Sequence, residues 1–263
     1  MCNKKIATVL VPNYKTLKLT KVCLRLIKKN TDLKKAHVIV IDNDSNDDST
    51  KYLRNLKWIE LIERKGIKGE GGPMSHARAL DLALAKVTTP FVIAIHTDTF
   101  VIHPNWLNIL LHPFENKNVG GVGSWKLEID GFLKNLGKKI EYFFKIFLNK
   151  EINRQRFDQN YHYIRSHCAA YRVSYIRAIK SSFSDGNESA GKVLHEKMKQ
   201  AGYEMIILKS NYLNKYVNHI NHATQAINAE FDIRSAGKIL KNYFSYMNKK
   251  EIISILKDDH LDN

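Results

Sequence analysis

The chain has 263 residues, 44% of them hydrophobic and 10% aromatic, which is long enough for a sizeable core and too apolar for wholesale disorder. Its formal net charge of +16 is compatible with attraction to anionic lipid or phosphorylated substrates, but no nucleic-acid motif accompanies it, and no nucleic-acid partner is expected. No stretch reaches the roughly 20 apolar residues of a bilayer span, and Cys2, Cys23 and Cys168 are too scattered for a zinc site or disulfide framework, so a reducing cytoplasmic setting is expected.

The N-terminal half alternates strand-like and helix-like segments. "IATVLVP" (6–12) is short and β-branched, and a helix follows with Leu19, Val22, Cys23, Leu26 and Ile27 on one face. "HVIVID" (37–42) reads as a buried strand, then a polar turn and a short helix from about Ser49. "WIELIE" (58–63) alternates like a third strand, and "RKGIKGEGGPMS" (64–75) is a glycine-rich loop. Ser75 is expected to cap the next helix, in which Ala77, Leu80, Ala83, Leu84 and Val87 recur at helical spacing. "FVIAI" (91–95) is a fourth strand, ending abruptly in His96-Thr97-Asp98, and a helix follows Pro104. Continuous apolar strands between helices predict an α/β fold, a mostly parallel sheet covered on both faces.

Beyond Gly120 the pattern loosens. "VGGVGSW" suggests a strand and turn, "SHCAAYRVSYIRAI" (166–179) a strand becoming a helix at Ser174, and 188–208 a helix stopped near Gly202 before another strand. The stretches 132–150 and 235–257 are basic, aromatic and amphipathic, a pattern shared by helices on a core and by helices lying on anionic membranes.

In an open α/β sheet, ligands bind beyond the carboxyl ends of the parallel strands. The first strand ends in Pro12-Asn13-Tyr14, the second in Asp42-Asn43-Asp44-Ser45, and the fourth in His96-Thr97-Asp98. Three polar tips on one edge predict a single cluster. The glycine-rich loop matches neither G-x-x-x-x-G-K-[ST] nor G-x-G-x-x-G, and reads as a flexible loop beside that cluster.

The runs "VLVPNYK", "VIVIDNDSNDDST" and "SHARALDLALAKVTTPFVIAIHTDTF" resemble the successive blocks of family-two nucleotide-sugar glycosyltransferases of the GT-A fold. The resemblance implies a Rossmann-like sheet with a helical acceptor-side region. It divides the chain into a nucleotide-sugar half (1–125), an acceptor half of the same domain (126–230) and a C-terminal amphipathic extension (231–263). It also implies transfer of a sugar, with inversion, from a nucleotide-diphosphate donor to a hydroxyl of a glycan or lipid-linked acceptor, while the basic amphipathic stretches would allow peripheral contact with the anionic inner face of the plasma membrane. By position, Pro12, Asn13, Tyr14, Asp42 and Asp44 would hold the nucleoside, with Arg78 and Asp81 from the helix after the glycine loop. Asp98 would ligate a divalent metal, Mn²⁺ or Mg²⁺. His96 stands where the family has a first Asp, and with Thr97 faces the donor. An imidazole there favours manganese, contacts the sugar without touching metal, or marks weakened metal dependence. Glu188 would take the acceptor proton, with Asp185 second, although Ser189 replaces the family's usual following Asp. In "VNHINHATQ" (217–225), His219 is expected to complete the metal site, while helical spacing of His219 and His222 could also present both to one ion. Trp125 would stack on a sugar ring. Two other readings share these features: a sugar-nucleotide nucleotidyltransferase, and a catalytically silent binding or scaffold protein of the same fold.

Overall fold

The computed structural model describes residues 5–127, 162–228 and 236–263; the basic stretch 132–150 lies outside them. Strand β1 (Ala7–Asn13) pairs in parallel with β2 (Ala36–Asn43) on one side and β4 (Phe91–Ile95) on the other, and β2 pairs in parallel with β3 (Glu60–Arg64). Side chains of these strands alternate between two cores, as the twofold period of a strand requires. Val9, Val11, Val38, Val40 and Ile93 enter one, while Leu10, Ile39, Ile41, Val92 and Ala94 enter the other. Helices α1 (Leu17–Asn30) and α4 (Trp106–Leu111) cover the first face, with Leu19, Val22, Cys23, Leu26 and Ile27 buried along α1. Helix α3 (Gly72–Leu84) covers the second through Ala77, Leu80 and Ala83. The short helix α2 (Asp48–Asn55) is capped by Asp47, whose carboxylate accepts from Ser49 N–H.

The sheet continues past β4 as one body. Strand β7 (Cys168–Arg172) runs antiparallel to β4 and to β6 (Val119–Gly123), and β8 (Glu204–Ile207) lies parallel to β6 at the edge. The resulting order is β3-β2-β1-β4-β7-β6-β8. Gly123 permits the close approach of β6 to β7, because a Cβ there would sit 2.4 Å from Ile164 Cγ2 and 2.7 Å from the Cys168 carbonyl oxygen. After β7 come α5 (Val173–Ala178) and α6 (Lys192–Gln200). A second, two-stranded sheet pairs β5 (Thr99–Val101) with β9 (Val217–His219). Helices α7 (Ser210–Leu213) and α8 (Ala223–Ile227) flank β9.

Several local expectations shift. The third helix starts at Gly72, not at a Ser75 cap, because Pro73 fits the first turn, where its missing N–H costs no hydrogen bond. The Ser75 hydroxyl instead meets Asn43 Nδ2 at 2.8 Å. The helix expected from residue 188 begins only at Lys192, since Gly191 holds φ +81°, a left-handed conformation that breaks the run. The strand pair β5–β9 went unread, being three residues long on each side.

The C-terminal helices α9 (Ala236–Met247) and α10 (Lys250–Lys257) pack on the first face through Tyr243, Met247, Ile252 and Ile255. Arg25, fully buried on α1, anchors them. Its guanidinium donates to the carbonyls of Ile255 and Leu256 at 3.0 and 2.7 Å, and to Asp262 at 2.8 and 2.5 Å. It thus supplies a donor to carbonyls in the last turn of α10, where Ile255 otherwise receives only a 3.3 Å bond from the Asp258 N–H. Tyr52 donates a further bond to Asp262 at 2.7 Å. Arg25→Met keeps the aliphatic stem but removes the charge partner of Asp262 and a donor to those carbonyls. We expect a loss of about 3 kcal/mol of stability, read as a lower urea midpoint at unchanged slope; a midpoint matching the wild type would refute the anchor.

Candidate metal and nucleotide site

Asn13 ties the polar tips of β1 and β2 together beneath the site, and Thr16, which donates to Asn13 Oδ1 at 3.3 Å, reaches Thr97 at the β4 tip at 3.4 Å. The Asn13 amide nitrogen lies within hydrogen-bond reach of Asp42 Oδ1 (2.7 Å), Ser45 Oγ (3.1 Å) and Ser49 Oγ (2.9 Å), and its oxygen accepts from Thr20 at 2.6 Å. Asp42 is buried and also accepts from Thr50 at 2.8 Å. Asn13 reaches the cavity wall; Asp42 lies behind it, holding the tip from below.

Above this tie lies a cavity of about 850 Å³. Of the residues read from the sequence, Pro12, Asn13, Tyr14 and Asp44 line one side, and His96, Thr97, Asp98 and His219 line the middle. Asp44 is in left-handed conformation at φ 66°, and its carboxylate receives Asn46 Nδ2 at 2.6 Å and the Gly66 N–H at 3.1 Å. The glycine loop is thereby drawn over the β2 tip, and Gly66 and Ile67 join the lining.

The remaining predicted residues are directed elsewhere. Asp81 accepts the backbone N–H groups of Phe183 and Ser184 at 2.6 and 3.0 Å, so it braces the loop before α6 and does not line the cavity. Arg78 acts one step back: it pairs at 2.9 Å with Glu70, which Arg64 also grips at 2.8 and 2.6 Å, and Glu70 lines the wall. Asp185 is engaged by Ser181, Ser182 and Lys197 at 2.7, 2.8 and 2.6 Å. Burial alone would raise its carboxyl, but Lys197 and the serines outweigh that and hold it at about 2. Glu188 is exposed and pairs with Lys192; its neighbours Ser189 and Ala190 reach the cavity. Trp125 stacks against His162, with ring centroids 4.8 Å apart.

At the centre, Asp98 is only 2% exposed. Its Oδ2 meets the Thr224 N–H at 3.4 Å, whereas Oδ1 is buried with no hydrogen-bond partner. His219 Nε2 approaches that orphan oxygen to 3.4 Å and His96 Nδ1 to 3.8 Å. One ligand atom from each of His96, Asp98 and His219 falls within 4.8 Å of the others, the spacing of a cation site. The β5–β9 pair creates this meeting: Thr99 faces His219 in register, and Ile220 N–H donates to the Asp98 carbonyl at 2.9 Å. His219 lies on a strand, so it is not presented together with His222 on a helix. His222 opens α8 in left-handed conformation and pairs with Gln225 at 2.9 Å.

Electrostatics suit a divalent ion. Burial pushes the Asp98 carboxyl up, but the His219 and His96 imidazoles and the Thr224 N–H outweigh it and hold it at about 2. Burial, reinforced by His76, drives His96 well below the ordinary imidazole range. An ionised Asp98 carboxylate beside a neutral His96 imidazole is the protonation state that metal ligation requires. The ring of His96 is also oriented: its Nε2 lies 3.0 Å from Ser166 Oγ, which lies 3.4 Å from His76 Nε2. A His96 proton donated to Ser166 leaves Nδ1 as the lone pair facing Asp98. The orphan oxygen and this donor set therefore fit a divalent metal.

His76, Ser166 and His167 were missed in the sequence. His76 is a polar residue near the start of a helix whose sequence pattern shows only its apolar face. Ser166 and His167 looked like part of a strand; the signal available was that an antiparallel neighbour of β4 would begin at the ligand-binding edge, as Cys168 opposite Ile95 shows.

Comparison with known proteins agrees with this architecture. The model for glycosyl transferase family 2 matches residues 8–180. No curated protein matches the chain. Among solved structures, a Pyrobaculum calidifontis mannosyltransferase in complex with GDP-Man and Mn²⁺ superposes with TM-score 0.53 at 15% identity, covering 97% of this chain and 84% of its own. The S. aureus TarS 1–349 fragment in complex with UDP-GlcNAc gives TM-score 0.54 at 15% identity, covering 95% and 78%. A family match spanning most of the chain and a shared GT-A fold lead to one conclusion: this chain belongs to glycosyl transferase family 2 and is a glycosyltransferase.

Proposed function

We propose that the enzyme moves a sugar, with inversion, from a nucleotide-diphosphate donor to a hydroxyl of a glycan or lipid-linked acceptor, and that it requires a divalent metal. The observation that carries this reading is the orphaned Asp98 oxygen between His96 and His219, beside a cavity walled by the β1 and β2 tips. Pro12, Tyr14 and Asp44 would hold the nucleoside there, with Asn13 and Asp42 fixing the tip and Arg78 acting through Glu70. Similarly folded glycosyltransferases bound to GDP-Man and UDP-GlcNAc support a nucleotide sugar as the donor. Asp98, His96 and His219 would hold the metal, which would supply positive charge to offset the charge developing on the departing diphosphate. Two imidazoles with one carboxylate suit Mn²⁺ better than Mg²⁺, which prefers all-oxygen coordination.

Inverting transfer needs a base for the acceptor hydroxyl. We assign this to Glu188, whose chain neighbours line the cavity and whose pairing with Lys192 lies at the exposed rim, where an incoming hydroxyl can replace it. Asp185, engaged by two serines and Lys197, shapes that rim. The helices α9 and α10 support peripheral contact with an anionic membrane: Phe244 and Ile253 stay exposed among lysines of a basic amphipathic segment. No described helix is long and apolar enough to cross a membrane.

Three measurements test these assignments. With a nucleotide diphosphate present, Mn²⁺ should raise the melting temperature of the wild type more than Mg²⁺ does, by mass action on the folded state. Asp98→Ala should abolish the metal-dependent part, and an unchanged shift would sink the assignment. Glu188→Gln should lower kcat by roughly 10²-fold or more without changing donor affinity; full activity would remove Glu188 as the base. In flotation at moderate salt, the protein should rise with vesicles containing phosphatidylserine and not with neutral ones, and equal behaviour with both would dismiss membrane contact.

A further inference from the structure

Arg165 stands just before β7, with its N–H donating to the Ser124 carbonyl at the end of β6 at 3.0 Å. Its guanidinium lies 4.0 Å from the centre of the Trp125 ring and 5.8 Å from that of Tyr163. Trp125 is itself braced by His162 stacked at 4.8 Å and by Tyr163 edge-on at 5.0 Å. Arg165 also lines the cavity.

The cation has no counter-charge. Arg25, Arg54, Arg64 and Arg78 each pair with a carboxylate, whereas among the described residues Arg165 pairs with none. Its Nε is buried without a hydrogen-bond partner. A guanidinium held by an aromatic ring keeps its in-plane N–H groups available, and those groups match the two oxygens of a phosphate or carboxylate. Leaving such a donor buried and unsatisfied is costly unless a ligand completes it.

Its place in the sheet narrows the ligand. β7 lies on the opposite side of β4 from β1, β2 and β3, and Cys168 at its start faces Ile95. Arg165 is thus across Asp98 from Asp44 and the glycine loop. On the reading proposed above, on which this step rests, the nucleoside occupies the Asp44 side, and the far side receives the acceptor. We infer that Arg165, held by Trp125 and Tyr163, binds an anionic group of the acceptor, a phosphate or carboxylate, so that the natural acceptor is a charged molecule and not a neutral glycan. The role of Trp125 follows: it is a platform for Arg165, and its contact with a sugar ring is secondary.

Calorimetry on the full chain with glycerol phosphate as the probe tests this, in buffer containing UDP and Mn²⁺, with glycerol as the neutral control and UDP titrated separately. The wild type should bind glycerol phosphate and not glycerol. Arg165→Met should weaken that binding about tenfold or more while leaving UDP affinity unchanged, and Arg165→Lys should fall between. If Arg165→Met proves unstable, Arg165→Gln supplies the same comparison. The inference is overturned by absence of glycerol phosphate binding to the wild type, by equal binding to the variants, or by a matching loss of UDP affinity, which would place Arg165 on the donor diphosphate. Failure of UDP and GDP to bind the wild type, with Arg165-dependent binding of glycerol phosphate intact, would refute the donor reading and leave the anion site standing.

Discussion

A carboxylate at the end of an apolar strand is the constraint on which the site depends. Removing Asp98 from water is expensive unless charge or hydrogen bonds compensate it, and within the protein the compensation is partial. One oxygen receives a long bond from Thr224 N–H; the other faces two imidazoles and no aligned donor. Ser166 and His76 orient one of these imidazoles, and the β5–β9 pair delivers the other. The neutral state imposed on His96 by burial follows from the same enclosure. A cation bound there would meet these tensions together.

The fold was legible where local chemistry and tertiary role coincide. Strands β1, β2 and β4 are apolar because both of their faces are covered, and a run of Val, Ile and Leu shows that directly. Polar tips at their carboxyl ends were equally readable, since buried strands tolerate polar groups only at an open edge. Legibility failed where a residue's role depends on partners far away in the chain. Asp81 has the position of a ligand-facing residue, yet its two oxygens are taken by Phe183 and Ser184. Glu188 was read into the first turn of a helix, but the left-handed Gly191 delays that helix and leaves Glu188 in the preceding turn. The charge of Arg25, ordinary in an amphipathic pattern, gave no hint that it is buried against the end of α10.

Acidic and basic groups are segregated by structural duty. Asp42, Asp81 and Asp185 spend their oxygens on the frame, Glu70 is fixed between two arginines, and among the carboxylates of the described residues Asp98 alone keeps a buried oxygen unmatched. Arg165, which also lines the cavity, pairs with no carboxylate among the described residues.

The β5–β9 ladder has a consequence for assembly. Asp98 and His219 sit far apart in the chain, so the centre cannot close on a nascent chain until the last third has emerged and docked. Joining such distant segments carries a loop-closure cost that local contacts do not repay. An ion held by Asp98 and His219 would therefore bind with an affinity coupled to the docking of the C-terminal third, because only that docking brings its ligands together.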